Sequence, residues 1–378
     1  MKVAVPVLTF CVAALLALGM VMLYSSSMTQ VGAQFLIRQL VWGAMGLVSC
    51  VLAASLDYRL LKKIAWPLFG FATFLLVLVL IPHIGKADIG HSAKGARRWF
   101  SFGPINFQPS ELAKLALIVA LAWYGEHFQR QMPTLKRGIF IPGIFIGATL
   151  LLIIKEPDFG STILLAAVSA TMLLVAGARW RYIVPPVIAV FTALVIIIWH
   201  DPMRSERVYS WLHLEETKAE KGHQAYQAMI AFGSGGWTGL GLGNGRQKRG
   251  FVPEQHTDFI LSIIGEELGL VATFSVVVAF AALVSCGIYI AYRARDTFGL
   301  LLAVGLSLLI GLQALVNIGV VTGALPNKGL PLPFISYGGS NLLMMLTCIG
   351  LLLSIARRAR PMEDLSENPF KSREVQTA

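Results

Sequence analysis

Ten stretches of mostly apolar residues recur along the chain, and most approach the roughly 20 residues that a helix needs to cross about 30 Å of hydrocarbon. They lie near residues 3–24, 35–55, 64–82, 109–124, 139–155, 160–177, 183–199, 257–291, 300–323 and 339–356. Water cannot coat so many such runs, so the expected fold is an all-α integral membrane protein of about ten transmembrane helices. Charge content agrees: 13% of the 378 residues are charged and 56% are hydrophobic, whereas a soluble domain carries about a quarter charged residues. The first run exceeds the roughly 7–15 apolar residues of a signal peptide and reads as an anchor. The spanning unit covers residues 1–360, and 361–378 reads as an unstructured cytoplasmic tail.

Short loops set the orientation, because Lys and Arg collect on the cytoplasmic side. With the N-terminus inside, the inside loops hold Arg59, Lys62 and Lys63, then Arg130, Lys136 and Arg137, then Arg179 and Arg181. Arg293 and Arg295 follow, and the tail begins with Arg357, Arg358 and Arg360. Both termini are therefore expected in the cytoplasm. Two longer outward loops, 83–108 and 200–256 (the latter between helices 7 and 8), are basic as well, which long translocated loops tolerate. Their cations include Arg97, Arg98, Arg204 and Arg207. Two readings stand: contact with outer-leaflet headgroups, or a site for an anionic, phosphorylated ligand. Cys11, Cys50, Cys286 and Cys348 sit inside apolar runs without a CxxC pair and read as packing residues.

Charges at membrane depth are costly and mark cavities or partners. Here Arg38, Glu111, Lys114, Glu156, Asp158, Asp258, Glu266 and Glu267 gather near the outward helix ends. Glu111 and Lys114, at i and i+3, can pair on one helix face. Asp258 opens the eighth run, where an Asp serves equally as an N-cap or as a functional carboxylate. Its setting, after a basic Gly-rich loop and before two more carboxylates, favours function, and Glu266 is the neighbour expected on its face. The segment Gly239–Gly245 lacks the strand context of a nucleotide loop and instead permits close backbone approach. Lys328-Gly329-Leu330-Pro331-Leu332-Pro333 reads as an irregular outward loop, whose missing donors require a protein or wet lining.

Several stretches, in order and over nearly the whole chain, resemble the SEDS family (shape, elongation, division and sporulation). They are Tyr24-Ser25-Ser26-Ser27, Gly95-Ala96-Arg97-Arg98-Trp99, Phe107-Gln108-Pro109-Ser110-Glu111-Leu112-Ala113-Lys114 and Glu156-Pro157-Asp158-Phe159-Gly160. Further on come Gly241-Leu242-Gly243-Asn244, Pro253-Glu254-Gln255-His256-Thr257-Asp258-Phe259, Gly265-Glu266-Glu267-Leu268-Gly269 and the block from Asn317 to Ser340. Pro326–Ser336 is more like the division branch, while Gly250–Gln255 is compatible with the elongation branch. Residues 210–222 depart from the family pattern, with Trp211-Leu212-His213-Leu214 after the paired arginines.

The resemblance implies a peptidoglycan glycosyltransferase that polymerises lipid II at the outer face of the cytoplasmic membrane. It further implies work at the division septum beside a class B penicillin-binding protein and other division proteins. Membrane lipid is the other expected contact, and nucleic acid is not a partner. On this reading Asp258 is the general base. Arg97, Arg98, Arg204 and Arg207 hold the pyrophosphate, and Glu111, Lys114, Gln224, His256, Lys328 and Ser336 complete the substrate site. A Mg²⁺ or Mn²⁺ ion near the pyrophosphate is also an expectation, although no ligand set for it is assigned. Two rivals remain, a lipid-precursor flippase and a non-catalytic division scaffold.

Overall fold

A computed structural model describes residues 1–27, 34–81, 86–87, 97–102, 105–218, 222–247, 256–327 and 329–359. Each of the ten apolar runs forms a helix. In chain order these are α1 (Ala4–Ser27), α2 (Gln34–Ser55), α3 (Leu60–Leu80), α4 (Pro109–His127), α5 (Ile141–Lys155), α6 (Phe159–Val175) and α7 (Trp180–His200). The second outward loop contributes α8 (Pro202–Leu212) and α9 (His223–Gly235), after which α10 (Ile260–Tyr292), α11 (Thr297–Val321) and α12 (Gly339–Arg357) complete the bundle. Among the described residues, eight helices are long and apolar enough to span a membrane. α6 is apolar but shorter, at 17 residues, and α4 carries Glu111 and Lys114 buried inside the bundle and Glu126 near its other end.

Two features go beyond the apolar runs. The first outward loop folds into a small antiparallel sheet of β1 (Lys86–Ala87), β2 (Arg97–Phe102) and β3 (Ile105–Phe107), with β2 in the middle. α10 is broken at Gly269, whose φ of +77° only a glycine adopts readily. The tail expected at 361–378 lies outside the described residues.

The core is built on α4, α11 and α12, whose side chains are largely buried. α2 lies close against α12 because small residues meet there. A Cβ on Gly350 would fall 2.3 Å from the Cys50 carbonyl oxygen, so only glycine lets the backbones approach this far. At the end that the short loops place inside, Asp296 caps α11 by accepting from the Gly299 N–H at 2.9 Å. Its carboxylate also receives the Tyr58 hydroxyl at 3.0 Å, Lys62 at 3.1 Å and Arg59 at 3.2 Å. Lys62 bridges on to Glu126 at 2.8 Å, and Arg358 pairs with Asp57 at 3.1 Å. The α2–α3 and α10–α11 connections and the ends of α4 and α12 are thereby tied together.

Candidate functional site

At the opposite end, the Pro-rich loop between α11 and α12 is held by side chains rather than by regular backbone pairing. Pro331 and Pro333 contribute no N–H, so neighbouring carbonyls need donors from elsewhere. Asn317 on α11 supplies one amide to two carbonyls, Leu330 at 2.7 Å and Asp258 at 2.8 Å. Gln313, about one turn earlier, donates to the Pro331 carbonyl at 2.9 Å. The Ser336 hydroxyl accepts from the Leu332 N–H at 2.8 Å and donates to the Thr257 carbonyl at 2.5 Å. The Tyr337 N–H reaches the His256 carbonyl at 2.9 Å. The loop and the segment bearing Asp258 are thus stitched together by three donors.

Asp258 does not cap α10. The helix begins at Ile260, its N-cap is Phe259, and that cap makes no side-chain hydrogen bond. Asp258 sits half-buried in the preceding turn. A Cβ at Gly329 would lie 2.9 Å from its Oδ2, so glycine lets the loop run against the carboxylate. Beside it, the His256 ring stacks on Phe35 with centroids 4.5 Å apart, and Tyr337 tilts against the same Phe35 at 4.9 Å.

Glu111 and Lys114 lie beneath this loop. Lys114 donates to Glu111 at 2.9 Å, and the side chains are only 1% and 4% exposed for Lys and Glu. Asn341 donates to the other Glu111 oxygen at 3.0 Å, and Lys114 reaches the Gln313 carbonyl oxygen at 3.4 Å. Both groups, expected in the substrate site, are buried and engaged with protein. Lys114 meets the Gln313 side chain whose amide donates to the Pro331 carbonyl, so the pair is linked to the loop through Gln313.

Glu266 is likewise not Asp258's partner. It accepts the N–H groups of Arg246 at 2.8 Å and Gln247 at 3.2 Å. Glu267 accepts from the Gly243 N–H at 3.0 Å and from the Ser25 hydroxyl at 2.7 Å. The Gly-rich segment therefore cradles the protein's own carboxylates. Gly239 shows why glycine is needed there: φ is +80°, and a Cβ would fall 2.2 Å from the Glu267 carbonyl oxygen. The signal was present in sequence, as a run of turn-forming glycines followed by paired acids on a helix. Asp158 is a helix cap, accepting from the Ser161 N–H at 3.0 Å.

Arg98 on β2 is half-buried and donates to the carbonyls of Glu156 at 2.5 Å and Pro157 at 2.9 Å, pinning the first outward loop to the α5–α6 turn. The Glu156 carboxyl is wholly buried, and neither of its oxygens has a hydrogen-bond partner among the described residues. Burial first, then the nearby Asp158 charge, push its pKa up to about 9 against the opposing pull of Arg98. Arg207 is exposed on α8. The Gln224 side-chain oxygen accepts from Asn327 at 3.2 Å, which ties α9 to the loop. Arg97 sits on β2 opposite Ala87 and Arg204 on α8, but their side chains, like the whole of Lys328, lie outside the described residues. The structure thus brings together Asp258, His256 and Ser336, with Lys114 and Glu111 below and Gln224 at the rim. Among the described residues, no three His, Cys, Asp or Glu side chains converge as a metal-binding set.

A multi-pass helical membrane protein with a half-buried carboxylate set in an irregular loop at one end of the bundle is the class these features define. The chain belongs to the FtsW/RodA/SpoVE cell cycle protein family, whose profile matches residues 6–361. It is 41% identical over 353 residues to the probable peptidoglycan glycosyltransferase FtsW of Geobacter metallireducens, covering 92% of this chain and 93% of the relative. The corresponding protein of Trichlorobacter lovleyi is 42% identical, with 93% and 92% covered. Among solved structures, a chain of a peptidoglycan synthase complex that coordinates polymerization and crosslinking superposes with a TM-score of 0.76 at 30% identity, covering 93% of this chain and 97% of that one. Thermus thermophilus RodA, a rod shape determining protein, superposes at 0.69 with 29% identity, covering 94% and 97%.

Proposed function

We propose that this chain is a peptidoglycan glycosyltransferase of the division type, polymerising lipid II at the outer face of the cytoplasmic membrane. The observation that carries the reading is Asp258: a half-buried carboxylate, not used as a helix cap, packed against Gly329 in a loop clamped by Asn317, Gln313 and Ser336. In the reaction the 4-hydroxyl of one saccharide attacks the anomeric carbon of another, forming the glycosidic bond with inversion. The bond to undecaprenyl pyrophosphate breaks, and the hydroxyl proton passes to Asp258. Arg98 and Arg207, with Arg97 and Arg204, are the cations assigned to the leaving pyrophosphate, since guanidinium forks match phosphate oxygens. No three His, Cys, Asp or Glu side chains converge among the described residues, so a Mg²⁺ or Mn²⁺ ion would take most of its ligands from the pyrophosphate and water. A class B penicillin-binding protein is the proposed partner, supported by the synthase complex to which the fold is similar, and the septum is the proposed site of work.

The deciding comparison is Asp258→Asn against wild type, with purified protein, lipid II and a range of Mg²⁺ and Mn²⁺ concentrations. Loss of the base should lower polymerisation by about 10² to 10⁴ with membrane level unchanged. Recovery at high metal would make Asp258 a ligand instead. Wild-type rates in the Asn variant would remove the catalytic assignment, and wild-type protein that forms no glycan would return the flippase and scaffold readings.

A further inference from the structure

The α6–α7 turn, at the end opposite Asp258, holds a feature that the outward site does not use. α6 ends at Val175, and the chain reverses through Gly177, with φ of +102°, and Ala178 into Arg179, Trp180 and Arg181. These residues and Leu174 line an open recess of about 540 Å³. Trp180 is 72% exposed and both arginines are exposed. Arg181 leans on Tyr182, its guanidinium carbon 5.0 Å from that ring's centroid. Neither arginine forms an ion pair among the described residues.

The adjoining described segments bring no neutralising charge either. Residues 127–155 and 159–200 contain no Asp or Glu. The α4–α5 connection that borders the turn through Met132 and Gly138 brings Arg130, Lys136 and Arg137 instead. Glu126 at the end of α4 is occupied by Lys62. Above the recess, α7 stands away from the bundle: Ile183 is its one buried side chain among those described. Val187, Ile188 and Phe191 are 48%, 58% and 68% exposed and continue the apolar surface upward from the arginines.

We propose that this recess binds an anionic glycerophospholipid, with the phosphate between Arg179 and Arg181, the glycerol region against the Trp180 indole and the acyl chains along α7. Two guanidiniums with no counterion among the described residues fit a phosphate diester. An interfacial tryptophan with an apolar helix above it fits the rest of a lipid better than it fits a free anion. The ligand sits at the opposite end from the saccharide chemistry, so its loss is distinguishable from failure of the polymerase reading.

The test uses the full-length chain in nanodiscs of phosphatidylcholine doped with brominated phosphatidylglycerol or brominated phosphatidylcholine. The chain has 8 tryptophans, so the Trp180 signal is taken as wild type minus Trp180→Phe. Quenching of that signal by the brominated anionic lipid should saturate at a mole fraction several-fold lower than for the zwitterionic lipid. Arg179→Ala with Arg181→Ala should erase about thirtyfold of preference, near fivefold for each arginine. The paired Lys variants should keep most of it and control for folding. Equal quenching by both lipids, or a preference unchanged in the double Ala variant, would overturn the proposal. So would absent quenching accompanied by cross-linking of a cysteine at position 188 to another protein helix.

Discussion

Replacing Lys114 with Met removes one partner of a buried ion pair while keeping nearly the same length and shape. Glu111, 4% exposed, then keeps Asn341 as its described donor but loses its countercharge 2.9 Å away. Breaking one side of such a pair costs about 3–5 kcal/mol, because an uncompensated charge is left in low dielectric. Lys114→Met should therefore lose about that much stability in a denaturant titration in mixed micelles. Glu111→Gln with Lys114→Met, which removes both charges, should recover most of it. Activity should follow a different pattern: loss of the Lys114–Gln313 contact loosens the Pro331 carbonyl, so kcat should fall in both variants while KM for lipid II changes little. A Lys114→Met protein as stable as wild type, with a raised KM and an unchanged kcat, would refute the positioning role and restore direct substrate contact.

Gly329→Ala brings a Cβ to 2.9 Å from the Asp258 carboxylate, so the acid must move. Polymerisation should drop about tenfold or more at normal membrane level, whereas a scaffold role would leave division complementation intact. Glu156 has a folded pKa of about 9 against the ordinary value of 4.5, because burial favours its neutral form. Its contribution is full below the ordinary value and is lost as pH rises, by at most about 1.4 kcal/mol per unit up to the folded value. Glu156→Gln should flatten the stability profile between pH 6 and 8.5, measured by thermal unfolding at fixed ionic strength; a slope matching wild type would show that another group titrates. A cysteine at position 218 should react with an impermeant thiol reagent from outside intact cells and one at 134 should not, with the reverse pattern inverting the orientation.

The helices were legible because period and length are properties of the sequence itself: all ten apolar runs appear as helices, with ends within about four residues. The small sheet before α4 was not, since Arg97–Phe102 and Ile105–Phe107 are too short and too mixed to signal pairing. α8 was hidden by its polar composition, and α9 by its brevity, 13 residues inside a long loop. At the site, residue chemistry marked the right carboxylates but could not rank them. Glu266, Glu267 and Asp258 are alike in sequence, and tertiary hydrogen bonding separates them: two hold backbone N–H groups of the Gly-rich loop, and one lies in a turn against Gly329. Gln313 and Asn317 were overlooked as site residues because each reads as one more polar residue in an apolar helix. Their importance lies in which carbonyls they meet, which is set by a loop that joins α11 to α12.

The depth to which polar groups descend bears on the choice between polymerase and flippase. From the end of α11 at Val321, the buried polar side chains are Asn317 and Gln313, the latter about 12 Å in at 1.5 Å per residue. Lys114 and Glu111 meet Gln313 at that level. Farther along, α11 presents Ile310, Leu309, Leu306, Ala303, Leu302 and Leu301 to the core, and Ser307 returns its hydroxyl to the Ala303 carbonyl of its own helix. α4 runs likewise through Leu115–Ala122 without a polar side chain. A pyrophosphate-bearing headgroup crossing the bundle would have to pass this apolar band and then part the Lys62–Asp296–Glu126 clasp at the far end. Those partly exposed pairs contribute only about 0–1 kcal/mol each, so the apolar band is the larger obstacle. On α4 and α11, polar groups that enter from one surface and give way to an apolar band beyond Gln313 suit an enzyme that takes its substrate and releases its product on the same face.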